Sequence, residues 1–345
     1  MPTYAALPKI LLHDHLDGGL RPSTVLDLAG AMGYDALPHT DVAALAEWFD
    51  QSGAPSLERY LEAFSHTFGV MQDPLALRRV VYEAGEDLAA DGVVYAEIRF
   101  GPSLHIAGGM DRHDVIAAVL EGARDAEREF DLPIRIIVDA LRQETDSVEV
   151  ARAAIQFAGD GVVAFDLAGP EAGFPPSMHA EAIRTAVEGG LHLTIHAGEG
   201  DGVASMAEAL DHGTERIGHG ARIIEDTVVE NGEITSLGPV AQRVLDGRIP
   251  LEICPTSNLH TGMYADAASH PIGMLDRAGF AVTLNTDNRL MSGISLTDEF
   301  DLVARAHGFG PSDFARITTT ALEAAFCDDE TRERVRERVE AGYSD

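Results

Sequence analysis

The chain has 345 residues, of which 45% are hydrophobic, enough to build a sizeable core. Its formal charge at pH 7 is −32, from 57 acidic and 25 basic residues. A field of this sign repels nucleic acid and anionic membranes, and it gives no help in gathering a phosphorylated substrate. The composition therefore excludes nucleic-acid and membrane partners and favours a neutral or cationic small-molecule ligand.

The two cysteines, Cys254 and Cys327, lie far apart in the sequence and form no CxxC pair. The sequence therefore indicates neither a disulfide framework nor a thiolate zinc site. The first residues lack the pattern of a secretory signal, and no segment reaches the roughly 18 apolar residues of a membrane span. We expect a soluble protein of the cytoplasm, and the sequence does not indicate its oligomeric state.

Short apolar, β-branched runs alternate with helical patterns along the chain. Eight segments are predicted to be strands: 9–13, 93–100, 134–140, 162–167, 191–196, 216–218, 251–254 and 281–285. Helical patterns between them cover 111–130, 147–158, 178–188, 202–212 and 239–246. This alternation is typical of an α/β fold of the (β/α)8 TIM-barrel type, in which catalytic groups sit at the C-terminal ends of the strands.

Two regions extend this basic pattern. Segment 40–91 is longer than an ordinary strand-to-helix connection and predicts two or three extra helices, with Tyr60, Leu61 and Phe64 at helical spacing. An insertion after the first strand often covers the active site, although these three side chains could equally pack only against the barrel. Residues 330–340 predict a charged C-terminal helix. Because no linker or repeat interrupts the chain, we expect a single domain over residues 1–345.

Polar side chains end several of the predicted strands. His13 and His15 follow an apolar run and lie two residues apart, so they project from the same face of their strand. An HxH pair alone is weak evidence of a metal site, and a single histidine after a strand is more often a loop residue. Other candidate strands, however, also end in such groups: His196 with Glu199 three residues on, His219, and Asp287. Four strand ends thus deliver histidine or aspartate to one rim.

Three imidazoles and one carboxylate suit a borderline divalent ion, zinc above all, and leave a position open for water. Zinc lowers the pKa of bound water toward about 7 and so produces a hydroxide nucleophile at neutral pH. The residue types therefore predict the site of a metal-dependent hydrolase.

Six short motifs add a resemblance to a known family. In chain order they are HDHLDG (13–18), DLAGPE (166–171), HAGEG (196–200), RIGHG (216–220), CPTSN (254–258) and LNTDN (284–288). In order and rough spacing, the chain resembles the adenosine deaminase family of the metal-dependent amidohydrolase superfamily, which are TIM barrels. It lacks the His/Cys/Cys signature of the cytidine-type zinc deaminases.

The resemblance implies a specific catalytic centre. It implies one zinc ion per chain, held by His13, His15, His196 and Asp287. Glu199 matches the family's proton donor to purine N1. His219 matches the histidine that orients the hydroxide and helps to remove its proton.

The resemblance also implies how a purine nucleoside is bound. Gly169 matches the glycine whose backbone N–H contacts N3, and Asp17, with His15, matches the site of the ribose 5′-hydroxyl. An apolar lid is implied at Tyr60, Leu61 and Phe64. Asn288 stands where many members have a second aspartate that donates to N7, and its amide carries N–H donors at every pH.

We therefore expect zinc-dependent deamination of adenosine and 2′-deoxyadenosine to inosine and deoxyinosine, as part of purine salvage. Relatives with this constellation also act on adenine, on N6-methylated or adenylate purines, and on 6-aminodeoxyfutalosine. The acidic surface disfavours adenylate, whereas adenine and 6-aminodeoxyfutalosine stay open as alternatives.

Two alternative hypotheses place the protein outside this family or without catalytic activity, and the sequence supports them less well. A two-metal barrel hydrolase usually has its metals bridged by a carboxylated lysine on a middle strand, and the single lysine, Lys9, precedes the first motif. A barrel that only binds nucleosides, or a secreted growth-factor relative, requires loss of zinc ligands or a signal peptide.

Overall fold

Ten strands are present in the computed structural model, which describes residues 4–53 and 63–344. They are β1 (Lys9–His15), β2 (Val93–Phe100), β3 (Ile134–Leu141), β4 (Val162–Ala168), β5 (His192–Ala197), β6 (Arg216–His219), β7 (Thr227–Glu230), β8 (Glu233–Leu237), β9 (Leu251–Ile253) and β10 (Val282–Leu284). All but β7 and β8 form one sheet of eight parallel strands in chain order. The predicted TIM barrel is confirmed.

The barrel closes through the residues that follow its last strand. Asp287 donates its backbone N–H to the His13 carbonyl at 3.0 Å, and the His15 N–H donates to the Asp287 carbonyl at 2.7 Å. These two bonds form a parallel bridge between the end of β1 and the segment after β10. These backbone bonds therefore bring two predicted zinc-site segments side by side.

Helices cover the outside of the barrel and form the C-terminal part of the chain. They are α1 (Pro22–Met32), α2 (Val42–Phe49), α3 (Phe64–Val70), α4 (Pro74–Ala90), α5 (Arg112–Phe130), α6 (Ser147–Ala154), α7 (Ala180–Glu188), α8 (Val203–Asp211), α9 (Pro239–Gly247), α10 (Pro255–His260), α11 (Ile272–Arg277), α12 (Arg289–Ser292), α13 (Leu296–His307), α14 (Pro311–Ala324) and α15 (Asp329–Gly342). No helix in the described part of the chain is both long and apolar enough to cross a membrane.

Local sequence explains where the helices begin. Before α4, the Asp73 carboxylate accepts hydrogen bonds from the N–H groups of Leu75 and Ala76, at 2.8 and 3.0 Å, and Pro74 takes the first helical position. Both choices satisfy or remove N–H groups that a helix cannot pair internally. Helix α13 begins with a reciprocal capping box between Ser295 and Asp298.

The predicted elements agree closely with the structure. Every barrel strand lies within two residues of its predicted bounds, and helices α2, α3 and α4 occupy the insertion predicted over 40–91. Helix α6 ends at Ala154 and continues as a short 3-10 turn, so the prediction of a helix over 147–158 is too long. No pattern above predicts α1, the helices α10 to α14 or the antiparallel β7–β8 hairpin.

The hairpin carries a signal that sequence reading can detect. Its turn contains Asn231 and Gly232, with φ angles of 55° and 79°. An Asn-Gly pair adopts these left-handed conformations readily, and it is the strongest short-range indication of a two-residue hairpin turn. The segment 227–237 was missed because its strands are mostly exposed and short, unlike the buried barrel strands.

The apolar core lies mainly between the barrel and its helices, while charged groups occupy the interior of the barrel. On β2, Ala96, Ile98 and Phe100 belong to the outer core. The alternate residues Glu97 and Arg99 form ion pairs with β4, β6 and β9, strands that do not neighbour β2 in the sheet. The alternation of side chains along a strand thus separates an apolar exterior from a charged interior.

Helices α4 and α5 pack against each other at two glycines. A Cβ atom at Gly122 would overlap the Val81 side chain and the Arg78 carbonyl oxygen, and one at Gly85 would lie 2.6 Å from the Ala126 Cβ. These glycines therefore permit the close approach of the two helices. Gly30, inside α1, has no neighbouring atom within 4 Å of its Cβ position.

We expect Gly122→Ala to lower the free energy of unfolding by about 1–3 kcal/mol, because the added methyl group overpacks the helix contact. The matched control Gly30→Ala adds the same methyl group to open space and should raise stability by about 0.5–1 kcal/mol through helix propensity. Urea denaturation followed by circular dichroism measures both. Equal effects of the two substitutions would contradict the close-packing account.

Candidate active site

A cavity of about 270 Å³ opens at the C-terminal ends of the barrel strands. Part of its wall is apolar and includes Phe64, Phe68, Leu104 and Leu141. The polar part includes His15, Asp17, Asp139, His196, Glu199, His219, Asp287 and Asn288. The cavity therefore combines an apolar surface with a dense group of titratable side chains, as small-molecule sites do.

The polar floor of the cavity is a cluster of imidazoles around one carboxylate. Ligand atoms of His13, His196, His219 and Asp287 all lie within 4.8 Å of one another. The Nε2 atom of His15 lies 3.2 Å from Nε2 of His196 and 3.4 Å from Oδ1 of Asp287. The structure thus brings together all five residues of the predicted metal centre and its neighbouring histidine.

The donor set fits a divalent metal. The His13 Nε2 atom is buried and has no hydrogen-bond partner within residues 4–53 and 63–344, and it lies 3.4 Å from Asp287 Oδ1. Buried polar atoms are normally paired, so an unpaired ring nitrogen among other ligand atoms calls for an explanation. A metal site explains the unpaired nitrogen, because three imidazoles and a carboxylate are a ligand set that could hold a metal ion.

Backbone geometry at two strand ends directs side chains into this cluster. His219 and Asp287 both have a φ of 59°, a left-handed conformation that residues other than glycine seldom adopt. Such conformations persist where the surrounding structure enforces them, and they concentrate at functional sites.

Buried carboxylates face the outer ring nitrogens of the histidines. Glu252 accepts a hydrogen bond from His13 Nδ1 at 2.9 Å, and an Asp166 oxygen lies 2.9 Å from His196 Nδ1. An ionised carboxylate can only accept, so a neutral His13 carries its proton on Nδ1 and presents the Nε2 lone pair to the cluster. This pairing selects the tautomer that a metal ligand needs.

Two arginines keep these carboxylates ionised inside the barrel. Arg99 donates to Asp166 at 2.6 Å and to Glu252 at 2.7 Å, and Arg216 donates to Glu252 at 2.6 Å. Burial raises the pKa of Glu252, but the two arginines outweigh this effect and hold it well below its usual value. The ion pairs therefore fix both the charge and the position of the groups beneath the imidazoles.

Asp287 is oriented by the helix that follows β9. The Ser257 hydroxyl, on α10, donates to Asp287 Oδ2 at 2.6 Å. The other oxygen, Oδ1, faces the Nε2 atoms of His13 and His15 at 3.4 Å each. The serine thus holds one carboxylate oxygen away from the cluster and the other toward it.

Glu199 lies next to His219, one of the histidines of the cluster. The Glu199 Oε2 atom is 3.6 Å from His219 Nε2. Burial, reinforced by the negative charges of Asp287 and Glu171, raises the pKa of Glu199 well above its usual value. On the other side of its ring, His219 Nδ1 lies 3.1 Å from the Asn258 amide nitrogen. The site therefore places a carboxyl group whose neutral form is favoured by burial next to an imidazole.

The predicted nucleoside-binding residues that the structure describes line the same cavity: His15, Asp17, Phe64, Gly169 and Asn288. Gly169 has a φ of 89°, and a Cβ atom there would overlap the side chain of Gln143. Burial raises the pKa of Asp17 to about 7. Tyr60 and Leu61, the other two predicted lid residues, lie outside the described residues.

Some supporting groups were missed by sequence reasoning although a signal was present. Asp139 and Glu252 interrupt the apolar strands β3 and β9, and a charged residue in a buried strand needs a partner. Asp166, Ser257 and Asn258 stand inside quoted motifs but received no role. Nothing in the local sequence indicates that Arg99 joins two of these carboxylates across the barrel.

Lys9 lies at the opposite end of β1 from the cluster. Its ammonium group donates to the carbonyl oxygens of Ala5, Leu7 and Asp91 at 3.3, 3.0 and 2.6 Å. It therefore occupies a structural position and not that of a metal-bridging lysine.

Comparison with known proteins identifies the family. Residues 8–342 match the family model described as Adenosine deaminase. An adenosine deaminase of Mycobacterium marinum is 51% identical over 336 residues, which cover 94% of this chain and 93% of that protein. The chain belongs to the adenosine deaminase family. The resemblance drawn from the six motifs is thus confirmed for this adenosine deaminase family member.

Solved structures extend the comparison. The adenine deaminase of Arthrobacter aurescens has a TM-score of 0.88 and 26% identity, covering 98% of this chain and 100% of that one. An amidohydrolase of Burkholderia ambifaria, solved with bound zinc, has a TM-score of 0.87 and 25% identity, covering 99% of this chain and 92% of that one. A metal ion is therefore present in a structural neighbour of this adenosine deaminase family member.

We expect Ser257→Ala to weaken metal retention about 10-fold, because the outer hydrogen bond to a ligand carboxylate is lost while the fold is kept. Ser205→Ala is the matched control, since the Ser205 hydroxyl is buried and has no hydrogen-bond partner in the described part of the chain. The measurement is the metal content left after graded chelator treatment. Equal retention by Ser257→Ala and the wild-type protein would overturn the role given to Ser257.

Proposed function

We propose that this protein hydrolyses adenosine and 2′-deoxyadenosine to inosine or 2′-deoxyinosine and ammonia, with one zinc ion bound per chain. The observation that carries the proposal is the contact of Glu199 with His219, 3.6 Å apart, at a buried cluster of groups that could hold a metal ion. The 51% identity to an adenosine deaminase supports the choice of substrate.

We propose that the zinc ligands are His13, His15, His196 and Asp287. Zinc bound there would supply hydroxide at neutral pH by lowering the pKa of a water molecule toward about 7. The assignment of His15 as a ligand and of His219 as a neighbour follows the family resemblance. The distances of 3.2 and 3.4 Å from His15 Nε2 to His196 and Asp287 support it.

Glu199 is the proposed general acid. Attack at C6 disrupts the aromaticity of the purine and moves negative charge onto N1, so a proton delivered to N1 lowers the barrier. Burial favours the neutral carboxylic acid that can make this delivery. His219, whose Nε2 lies 3.6 Å from Glu199 Oε2, would orient the attacking water and accept its proton. Transfer of this proton from His219 to the amino group would expel ammonia, while the proton of the new C6 hydroxyl group returns to Glu199 and the 6-oxopurine is left.

The remaining contacts position the substrate. We propose that the Gly169 N–H binds N3, that Asn288 donates to N7, and that Asp17 with His15 binds the ribose 5′-hydroxyl. Phe64 contributes to the apolar lid, for which Tyr60 and Leu61 are the other candidates. All of these except the last two line one cavity.

The charges of the cavity favour a nucleoside over a nucleotide. Among the described lining residues there is no arginine or lysine to pair with a phosphate, whereas Asp17, Asp139, Glu199 and Asp287 all contribute carboxyl groups. A 5′-phosphate would meet like charges and lose its hydration. We therefore propose a small-molecule purine nucleoside as the partner, with no nucleic acid or membrane.

We also propose a domain organisation and a cellular setting. We propose a single domain over residues 1–345 that acts in purine salvage in the cytoplasm. The cysteines Cys254 and Cys327 are both free thiols, which fits a reducing compartment.

Glu199→Gln should lower kcat for adenosine about 10²–10⁴-fold and leave the bound zinc in place, because only the transferable proton is removed. Asp201→Asn, an exposed change two residues along the same loop, is the control and should leave turnover near that of the wild type. Loss of absorbance near the adenosine maximum follows the reaction, and metal analysis follows zinc. Full turnover by Glu199→Gln would exclude this residue as the acid.

A substrate panel ranks the alternatives. With adenosine, 2′-deoxyadenosine, adenine, AMP and 6-aminodeoxyfutalosine tested side by side, we expect the first two to have the highest kcat/KM. AMP should be disfavoured because its phosphate meets the acidic lining of the cavity. A higher kcat/KM for adenine or 6-aminodeoxyfutalosine would replace the proposed substrate with that compound, and a preference for AMP would refute the charge argument.

A further inference from the structure

Glu171 is a buried carboxylate beside the cavity that the proposed mechanism does not use. It follows β4 in the DLAGPE motif and is 3% exposed. Its two oxygens accept hydrogen bonds from the backbone N–H groups of Gly198, Glu199 and Asp201, at 2.7, 3.0 and 3.0 Å. The Glu171 side chain thus binds three backbone N–H groups of the neighbouring loop, which connects β5 to α8.

Glu171 provides the hydrogen-bond acceptors for backbone N–H groups of this loop. The loop turns at Gly198, which has a φ of 78°. The Glu171 carboxylate, from a different loop, accepts the hydrogen bonds of the N–H groups in this turn. Hydrogen bonds to an ionised acceptor are roughly twice as strong as those between neutral groups. Burying a carboxylate is costly unless it is hydrogen-bonded, and here the bonds all go to one short segment. The contact therefore couples the loop after β4 to the loop after β5.

The coupled loop carries the proposed acid. Within residues 4–53 and 63–344 no hydrogen bond holds the Glu199 carboxyl group, and its contact with His219 Nε2 is 3.6 Å long. The position of the Glu199 carboxyl group therefore depends on the position of the Glu199 backbone. Glu171 binds that backbone directly, at the Glu199 N–H.

The same loop after β4 also lines the cavity. Gly169 and Pro170, immediately before Glu171, both belong to the cavity wall. A purine resting on Gly169 would thus be located by the loop that also holds the acid through Glu171. Errors of about 1 Å between a reacting atom and its catalytic group can cost a factor of about 100 in rate, so this shared support has a kinetic consequence.

We propose that Glu171 is a positioning residue for deamination, which sets the distance between the Glu199 carboxyl group and the purine by binding the backbone of residues 198–201. This inference rests on the proposed function. Glu171 is not among the residues that line the cavity, and it acts through the loop that it holds.

The test begins with Glu171→Gln, which keeps the size of the side chain but replaces one acceptor oxygen with an NH₂ group. At least one of the three loop N–H groups then loses its acceptor. We expect kcat for adenosine to fall about 10- to 100-fold, with KM changed much less and zinc content unchanged. Amide hydrogen exchange should become faster at residues 198–201 and stay the same in the barrel strands. Glu188→Gln, at an exposed position at the end of α7, is the control.

A double-mutant cycle separates positioning from general support of the fold. If Glu171 acts through the Glu199 carboxyl group, adding Glu171→Gln to Glu199→Gln should cause no further loss of kcat. Losses that multiply, or unchanged kcat and loop exchange in Glu171→Gln, would overturn the proposal. Failure of the wild-type protein to deaminate adenosine would instead refute the proposed function, and the exchange measurement would still report whether Glu171 holds the loop.

Discussion

The active-site cluster depends on a set of ion pairs buried inside the barrel. Glu252 accepts hydrogen bonds from His13, Arg99 and Arg216, and Arg99 also binds Asp166. Charges this deep are stable only when each has its partners, because desolvation costs several kcal/mol per ion. Removing one partner would leave another charge unpaired. The requirement for pairing therefore fixes the positions of these side chains. Through its hydrogen bond to Glu252, the imidazole ring of His13 is fixed as well.

The pairing also connects the fold with the chemistry. The parallel strands place histidines at their C-terminal ends, but a histidine can bind a metal only with a bare nitrogen directed at it. The Glu252 carboxylate beneath His13 accepts a hydrogen bond from Nδ1–H and so leaves the lone pair on Nε2. Ser257 does the corresponding work for Asp287 by binding its outer oxygen. The sequence thus supplies the candidate ligands, and contacts between distant strands orient them.

This division explains how far sequence reasoning reached. The barrel strands were predictable because each is a short, buried run with β-branched residues, and the candidate ligands were predictable because they directly follow such runs. The partners of those ligands were not. Arg99 pairs with residues on β4 and β9, and Glu171 binds a loop 27 to 30 residues away. Such contacts are created by closure of the barrel, which no local pattern encodes.

The tautomer of His13 tests the central claim most directly. Nitrogen-15 NMR of the histidine rings, with the His13 signals assigned by their loss in His13→Gln, reports which ring nitrogen carries the proton. The account predicts a proton on Nδ1, bonded to Glu252, and none on Nε2. A proton on Nε2 would contradict it, because the ring could then present no lone pair to the cluster.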